Sequence, residues 1–379
     1  MISTPSSRRR FLGQGVGAFG LLALADRLGP FAVGAEEARS AGELTRKGVE
    51  FLRPRQDASG AWSPERREPG ITALVVTALL RSGRVAAGEP AVTKALGFLE
   101  QFIGDKGGLS EASHANYATA VALMAFHEAN ARTDGRYDAF IKGGQDFLKR
   151  MQWDDAEGKN REDAYYGGAG YGGKNDRPDL SNTSFMIEAL RDTGLPADDP
   201  ALQKALIFVS RCQNLKSEFN DQPWADKIND GGFIYTAAKG GQSFAGTTDD
   251  GGLRSYAGMT YAGLKSMIYA GLSKNDPRVK AARDYIARNY TLDENPGLGQ
   301  KGLFYYYQVF AKAMSMLGEP MFTDASGKAH DWRADVVKAL AKRQNDNGSW
   351  VNKADSFMEG DPNLVTAYSL LTLAYARPA

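Results

Sequence analysis

Residues Gln344–Trp350 read QNDNGSW, and a near copy, QDASGAW, occupies Gln56–Trp62 close to the start of the chain. Each stretch follows an amphipathic segment and places Gln, Gly and Trp at the same spacing. At the end of a helix, Gly permits a left-handed turn, Gln can bond to backbone groups and Trp can cover the joint. The two copies therefore indicate a helical repeat whose first and last units keep the same connection.

Six amphipathic segments, at irregular spacing along the chain, carry this repeat. In the second of them, Val92, Ala95, Leu96 and Leu99 fall on one face at helical period, and Pro90 precedes them where a missing N–H costs little. A helix with one apolar face belongs on the outside of a core. Each segment ends in an apolar pair: Phe51-Leu52, Phe98-Leu99, Phe147-Leu148, Phe208-Val209, Tyr285-Ile286 and Leu340-Ala341.

A second kind of segment alternates with the first and is apolar on nearly all sides. A helix without a polar face has to be surrounded by protein. We therefore expect an inner ring of six helices wrapped by the six amphipathic ones, in a closed all-α (α/α)6 toroid rather than an open α-solenoid. The inner segments are Ile71–Leu80, Ala118–Phe126, Phe185–Leu190, Met259–Leu272, Val309–Leu317 and Leu364–Tyr375.

The toroid is expected to form a single domain over residues 36–379. Its two longest connections, 153–178 and 214–252, both link an outer helix to the next inner helix and so leave the same end of the ring. Long structured loops gathered at one end of a scaffold are where a binding site usually lies. Strand signals are scarce, with residues 232–236 as one short candidate. The six repeats cover about residues 42–82, 90–130, 137–193, 199–272, 276–318 and 332–376.

The composition excludes several classes of function. A formal net charge of +1 provides no basic field for nucleic acid. The single cysteine, Cys212, excludes an intrachain disulfide and any site with several cysteine ligands, and the three histidines show no paired metal spacing. We expect no metal and no cofactor. After the N-terminus, no apolar run approaches the roughly 18 residues that a membrane span requires.

The first 35 residues differ in character from the rest. Arg8-Arg9-Arg10 is followed by Phe11 and Leu12, a Gly-rich apolar stretch and the small residues Val33–Ala35. This arrangement resembles a twin-arginine export signal. We therefore expect residues 1–35 to be a signal segment, and the protein to be exported to the periplasm or another extracytoplasmic place.

The repeated Gln-x-x-x-Gly-x-Trp pattern resembles the QW motif of squalene–hopene cyclases and related prenyltransferase/squalene oxidase repeat proteins. The middle repeats keep fragments of it, such as Gln152-Trp153 and Asp230–Phe233. The resemblance covers about residues 42–376 and implies a terpene cyclase or protein prenyltransferase α/α toroid. It also implies a central pocket for a small isoprenoid or another apolar ligand. The zinc site of protein prenyltransferases has no counterpart here, because Cys212 lies within an outer helix.

The stretch Pro178–Thr183 bears on the chemistry. Class II terpene cyclases, which the chain resembles, carry Asp-x-Asp-Asp-Thr at a similar place, and the middle Asp protonates an alkene or epoxide. In this chain only Asp179 and Thr183 match, since Ser181 and Asn182 replace two aspartates. A hydroxyl cannot deliver a proton to an alkene, so cyclisation started by this acid is not expected. The alternative is a helix start, with Asp179 or Ser181 as the cap.

The first turns of the inner helices share one level of the ring and carry polar and aromatic side chains. Free N–H groups and the positive ends of helix dipoles also lie there. The carboxylates near this level are the catalytic candidates Asp179, Asp250 and Asp361. The candidate ligand-binding residues are His114, Tyr117, Asn182, Arg254, Tyr256, Tyr305, Tyr306 and Asn363.

Three functions remain open from the sequence. The first is a pocket for an isoprenoid or other apolar ligand. The second is a non-catalytic toroid that binds glycan or peptide. The third is a polysaccharide-acting (α/α)6 enzyme, which in a hydrolase needs two carboxylates separated by roughly 5 to 9.5 Å. An aromatic cavity deep in the ring favours the first, and a shallow polar groove favours the second.

The signal segment leads to a prediction about export. Residues 1–35 fused to a reporter should direct it through the twin-arginine route, and replacing Arg8 and Arg9 with Lys should block export while keeping the charge. Cell fractionation measures the outcome. Unchanged export of the double-Lys form would show that the segment is not a twin-arginine signal.

Overall fold

The computed structural model describes residues 30–66, 68–131, 135–172 and 176–378. Residues 1–29, which form most of the expected export signal, lie outside the described residues. The first helix begins at Pro30, inside the last part of that segment. None of the described helices is both long and apolar enough to span a lipid bilayer.

Helices of the two expected kinds alternate along the described part of the chain. The amphipathic ones are α1 (Pro30–Leu52), α3 (Pro90–Glu100), α5 (Asp138–Arg150), α7 (Pro200–Arg211), α9 (Pro277–Arg288) and α11 (Trp332–Ala341). The apolar ones are α2 (Pro69–Arg81), α4 (Ala115–Asn130), α6 (Leu180–Asp192), α8 (Ala257–Tyr269), α10 (Leu303–Leu317) and α12 (Pro362–Tyr375). Six of these helices begin with Pro, whose fixed φ suits the first turn of a helix.

The inner helices form a closed ring. Each contacts the next in the order α2, α4, α6, α8, α10 and α12, and α12 in turn packs against α2. The outer helix α1 lies against α12 and α11 and so joins the first repeat to the last. This closure confirms the all-α (α/α)6 toroid and excludes the open solenoid.

Burial follows the division into inner and outer helices. Every residue of α2 from Pro69 to Leu80 is buried, whereas α5 buries only Gly144, Phe147 and Leu148. The outer helices therefore cover the ring with one face and expose the other to solvent. The apolar ring provides most of the core, as the sequence pattern predicted.

The Gln residues of the repeat connect successive outer helices. Gln56 Nε2 donates to the carbonyl oxygens of Gly60, at 3.0 Å, and of Ala91 in the first turn of α3, at 2.7 Å. Gln344 does the same across the closing joint, to Gly348 at 3.0 Å and Leu44 in α1 at 3.1 Å. Gln152 and Gln213 make the equivalent pairs of bonds in the third and fourth repeats.

The connecting loops are also fixed to the inner helices by a threonine. The backbone N–H of Trp62 donates to Thr72 Oγ1 at 3.0 Å, and that of Trp350 donates to Thr366 Oγ1 at 3.1 Å. Thr183 accepts an equivalent bond from the backbone of Ala169. The backbone N–H groups of Leu109 and Phe233 donate in the same way to the hydroxyls of Thr119 and Thr260. Thr183 thus has a structural role that is common to five repeats.

The inner helices end in a group of charged and phenolic side chains, which we call the ion cluster. Lys265 Nζ lies 2.6 Å from Glu188 Oε2, and Arg81 Nε lies 2.6 Å from Glu128 Oε1. Three cations therefore face three carboxylates, and each of the six inner helices contributes at least one member. The members are Arg81, Glu128, Glu188, Asp192, Lys265, Tyr269, Lys312 and Tyr375.

The cations of the ion cluster hold Glu188 in its charged state. Burial alone would raise the pKa of Glu188, but the cations of Lys265, Lys312 and Arg81 together hold it well below its usual value. Lys265 and Glu188 have almost no contact with solvent. The C-terminal end of the inner ring is therefore closed by paired charges.

Within the described residues, the only strands form a hairpin between Phe322–Thr323 and Ala329–His330. Residues 232–236, the candidate from the sequence, make isolated bridges instead, through Phe233 to Gln213 and through Thr236 to Gln242. Their backbone is used mainly to fix the loop between α7 and α8 against α6, where the Leu180 N–H donates to the Tyr235 carbonyl at 2.8 Å.

The closing joint leads to a prediction about stability. Trp350 is fully buried, donates from Nε1 to the Leu340 carbonyl at 2.9 Å, and packs on Gly48 of α1, where an added Cβ would come within 3.0 Å of its ring. Trp350→Ala should therefore lower the free energy of unfolding by about 3–5 kcal/mol, as for other buried Trp truncations. Denaturant titration measures this loss.

The neighbouring residue provides the control. Val351 is exposed, so Val351→Ala should change the free energy of unfolding by no more than about 0.5 kcal/mol. A loss below about 1 kcal/mol for Trp350→Ala would contradict a joint that depends on this ring.

Candidate functional site

A cavity of about 400 Å³ lies at the N-terminal end of the inner ring. Nine of its 21 lining residues are Phe or Tyr, and several of the others are aliphatic or Gly. The aromatic residues are Tyr117, Tyr171, Phe185, Tyr235, Phe244, Tyr256, Tyr305, Phe357 and Tyr368. The others are Glu68, Gly70, Ile71, His114, Ser181, Gly258, Met259, Asn295, Leu298, Gly302, Met358 and Leu364.

The cavity lies in this position because of how the inner helices are oriented. All six begin at this end, and each contributes a residue from its first two turns, for example Ile71, Tyr117 and Met259. The loops after α5 and α7 contribute Tyr171, Tyr235 and Phe244 to the upper wall. The two long connections therefore meet at the cavity, as their position in the repeat predicted.

Four aromatic side chains, Tyr117, Phe185, Tyr305 and Tyr368, cross the axis of the ring, and we call them the aromatic floor. The Phe185 ring centroid lies 5.4 Å from that of Tyr117 and 6.2 Å from that of Tyr305. Tyr305 is in turn 6.0 Å from Tyr368. The floor thus joins α4, α6, α10 and α12. The ion cluster lies beneath it, since the Lys265 ammonium is 5.7 Å from the Phe185 centroid.

The mouth of the cavity is apolar and open to solvent. Tyr171, Phe244, Phe357 and Met358 line it and are each between 39% and 49% exposed. The Phe244 and Phe357 rings face each other across the mouth with centroids 5.3 Å apart. Phe357 and Met358 both have positive φ, at 58° and 64°, which side chains of this size rarely adopt. This backbone conformation directs two apolar side chains to the mouth.

Asp179 lies just behind the cavity wall. As the N-cap of α6 it accepts from the Asn182 backbone N–H at 2.9 Å and from Asn182 Nδ2 at 2.7 Å. Its carboxyl group also interacts with the phenol of Tyr235, which does line the cavity. Burial raises the pKa of Asp179 to about 6, although the bonds from Asn182 oppose the shift. The helix-cap alternative is therefore correct for Asp179.

Ser181 lies two residues after Asp179, in the first turn of α6. It lines the cavity, and its hydroxyl donates to Tyr305 Oη at 3.1 Å. Asn182 is buried and directed at Asp179 rather than into the cavity. No carboxylate of the described residues reaches the interior of the cavity from this turn of α6.

The predicted ligand-binding residues separate into two groups. His114, Tyr117, Tyr256 and Tyr305 line the cavity. The others, Asn182, Arg254, Tyr306 and Asn363, do not, and for them the predicted contact with a cavity ligand is wrong. Tyr306 points away, between helices, and donates to the Thr291 carbonyl at 2.6 Å.

Four further candidates lie away from the cavity because of the path of the chain. Asn363 is buried between Arg55 and Ser63, and Arg254 is exposed on a loop. Asp250 is a surface residue bonded to Thr248, so it does not belong to the site. Asp361 caps α12 by accepting from the backbone of Asn363 at 2.8 Å and is not at the cavity.

Two carboxylates near the site were not predicted from the sequence. Glu68 lines the cavity and lies 3.0 Å from His114 Nδ1. Glu359 is buried and accepts from the backbone N–H groups of Phe304 and Tyr305 at the start of α10. Burial raises the pKa of Glu359 to about 7, although a bond from Asn352 opposes the shift. Glu68 and Glu359 both lie in loops that precede an inner helix, where no helical periodicity in the sequence indicates the direction of a side chain.

The described residues contain no group of three or more His, Cys, Asp or Glu that could hold a metal ion. The single cysteine is buried in the wall between α7 and the loop at Ile234, and burial raises the pKa of its thiol. The site is therefore a largely apolar cavity with hydroxyl, imidazole and carboxylate groups at its edge.

Comparison with known proteins agrees with this architecture. No protein-family profile and no curated protein sequence matches the chain. Its fold is similar to that of the type II terpene cyclase MstE from Scytonema, of which one apo variant gives a TM-score of 0.54 at 13% identity, over 90% of this chain and 98% of that one. A second variant is in complex with its substrate geranylgeranyl dihydroxybenzoate. It gives a TM-score of 0.55 at 12% identity, over 90% of this chain and 99% of that one. The chain thus has the terpene cyclase-like α/α fold.

The environment of Asp179 leads to a prediction about pH. Its folded pKa of about 6 lies above the usual value of about 3.9. Between about pH 3.9 and pH 6, the folded protein keeps a proton on Asp179 that the unfolded chain has lost. The free energy of unfolding that Asp179 contributes therefore falls as the pH rises through this interval. Asp179→Asn keeps an oxygen to accept from the Asn182 N–H but cannot ionise. Relative to wild type, the free energy of unfolding of the variant should rise by about 2 kcal/mol on going from pH 4 to pH 7.

A second N-cap provides a control of opposite sign. The hydrogen bond from Arg278 lowers the pKa of Asp276, so that carboxylate contributes more stability as the pH rises. Asp276→Asn should therefore lose stability relative to wild type as the pH rises through the acidic range below about pH 4, and should change little from pH 4 to pH 7, in denaturant titrations. Parallel pH profiles for wild type and Asp179→Asn would contradict the raised pKa.

Proposed function

We propose that the protein binds an isoprenoid or another small apolar ligand in the cavity at the N-terminal end of its inner ring. The observation that carries the proposal is the lining, in which Phe and Tyr predominate deep inside a ring that is closed at its other end. Ligand pockets of this kind bury most of a small apolar molecule and orient it with a few polar groups. Ser181, His114 and Glu68 are such groups here.

The fold supports the same class of ligand. MstE, which shares the α/α architecture, binds a substrate that carries a geranylgeranyl chain. A chain of that kind is apolar, flexible and narrow, and it suits an aromatic cavity entered from one end.

We further propose that the protein does not cyclise squalene by the acid-initiated route. Ser181, which lines the cavity, carries a hydroxyl and not a carboxyl group, and that hydroxyl is bonded to Tyr305. Asp179 is behind the wall and committed to Asn182 and the start of α6. Glu68 lies at the edge of the cavity beside His114. A proton donor placed over the centre of the cavity is therefore missing from the described residues.

The alternatives receive less support. A glycan-binding toroid needs a shallow polar groove, whereas this cavity is largely apolar. A polysaccharide hydrolase needs two carboxylates across one cleft, but Asp250 is on the surface and Asp361 caps a helix. Export through the twin-arginine route stays a proposal, and under it the ligand would be met outside the cytoplasm.

The proposal is tested by binding and by turnover. The mature protein should bind farnesol or geranylgeraniol in calorimetric titrations. Met259→Trp should fill part of the cavity and weaken binding at least about tenfold, because the lost space excludes apolar surface of the ligand. Met321→Trp makes the same change at an exposed position outside the cavity and should have no effect.

Turnover is examined by incubating the protein with squalene and shorter polyprenes and analysing the products by mass spectrometry. We expect bound but unchanged ligand. Cyclic products at enzymatic rates would overturn the proposed loss of acid-initiated cyclisation. Absence of any binding would overturn the isoprenoid pocket and favour a glycan- or peptide-binding toroid.

A further inference from the structure

We propose that Phe185 fixes the depth of the cavity and thereby the longest isoprenoid chain that can be fully buried in it. This inference rests on the proposed function and concerns the size of the ligand. Phe185 belongs to the second turn of α6, one turn below Ser181, and is only 4% exposed. One side of its ring faces the cavity, and the Lys265 ammonium lies on the ring at 5.7 Å from the centroid.

The ring is held in place from both sides of the barrel. Tyr117 of α4 contacts Phe185 edge-on, with the ring planes at 80°, and Tyr305 of α10 contacts it from the opposite direction. Because α4 and α10 are on opposite sides of the inner ring, these contacts place Phe185 across the axis. A ligand that enters from the mouth therefore meets this ring at the deepest point.

The layer below Phe185 cannot retreat to admit more ligand. Glu188 and Asp192 follow Phe185 on the same face of α6 and are paired with Lys265, Lys312 and Arg81. Separating buried ions from their partners costs several kcal/mol for each ion, which burial of a further methylene, at about 0.8 kcal/mol, does not offset. The ion cluster is thus a fixed base, and Phe185 is the last apolar group above it.

The volume above Phe185 suits a short chain. The cavity volume of about 400 Å³ lies near the lower end of the roughly 300–1,000 Å³ that ligand pockets span. Farnesol approximates this size. Geranylgeraniol has one more isoprene unit, and squalene has twice as many carbons as farnesol, so both would leave apolar carbons at the solvent-exposed mouth. Wild-type affinity should therefore stop rising with chain length beyond farnesol.

The test compares ligands of increasing length on wild type and on variants of Phe185. Farnesol, geranylgeraniol and squalene are titrated against the mature protein by calorimetry. Phe185→Ala removes a ring about as large as one isoprene unit, so the ratio of geranylgeraniol to farnesol affinity should rise at least about tenfold over wild type. Phe185→Leu is a milder change that retains folding if Ala does not, and its ratio should rise by a smaller factor.

A buried Phe outside the cavity provides the control for general loosening. Phe310 packs between Tyr261 and Trp332, away from the cavity, so Phe310→Leu should destabilise the fold without changing the ratio. If wild type binds these ligands but the ratio is the same in every variant, the role of Phe185 is overturned while the isoprenoid pocket stands. If wild type binds none of them, the proposed function itself fails, and the inference fails with it.

Discussion

The neutralisation of charge inside the ion cluster is the constraint on which the rest of the barrel depends. Six charged side chains from five of the inner helices, with a tyrosine from the sixth, are removed from most of the solvent. Each buried ion costs several kcal/mol unless its partner is in place. The partners lie on different helices, so the energy is recovered only when the whole ring has assembled. The cluster therefore specifies which helices are neighbours, in addition to closing one end.

The ion cluster and the cavity are lined by the same faces of the inner helices, at opposite ends of the ring. On α6, Ser181 and Phe185 line the cavity, and Glu188 and Asp192, further along the same face, belong to the cluster. Arg81, in the last turn of α2, also complements the negative end of that helix dipole. At the other end, the carboxylates of Asp179, Asp361 and Glu359 satisfy N-terminal N–H groups. The polarity of the helices thus leaves the middle of the barrel apolar.

The sequence predicted the helices well, because each inner helix is apolar on all sides and each outer helix on one face. It also predicted Tyr117, Tyr256 and Tyr305 at the cavity, since the first turns of the inner helices share one level. Tyr306 could not be separated from Tyr305, because the rotation of a helix about its axis is decided by packing. A single residue step turns the side chain by about 100°, and Tyr306 consequently points into the wall.

Other residues of the barrel could not be predicted from any local sequence pattern, or had a pattern that the sequence analysis did not interpret. Phe244 and Phe357 come from loops, whose paths follow from the surrounding structure and not from any periodicity. Charges such as Lys265 and Lys312, inside otherwise apolar helices, could have indicated a buried ion cluster, because a charge in such a helix needs a partner. Thr183 matched a catalytic pattern in the sequence, but its bond to the Ala169 N–H recurs in four other repeats and is structural.

The closing joint has a consequence for how the chain is made. Gln344 bonds to the carbonyl of Leu44, a partner 300 residues earlier. At roughly 5–20 residues per second, a ribosome needs about 15–60 s to add that length of chain. Throughout this time the apolar face of α1, with Leu44, Val49 and Leu52, has none of the contacts with α11 and α12 that cover it in the finished molecule. The first of the described helices to be synthesised is therefore among the last to be buried.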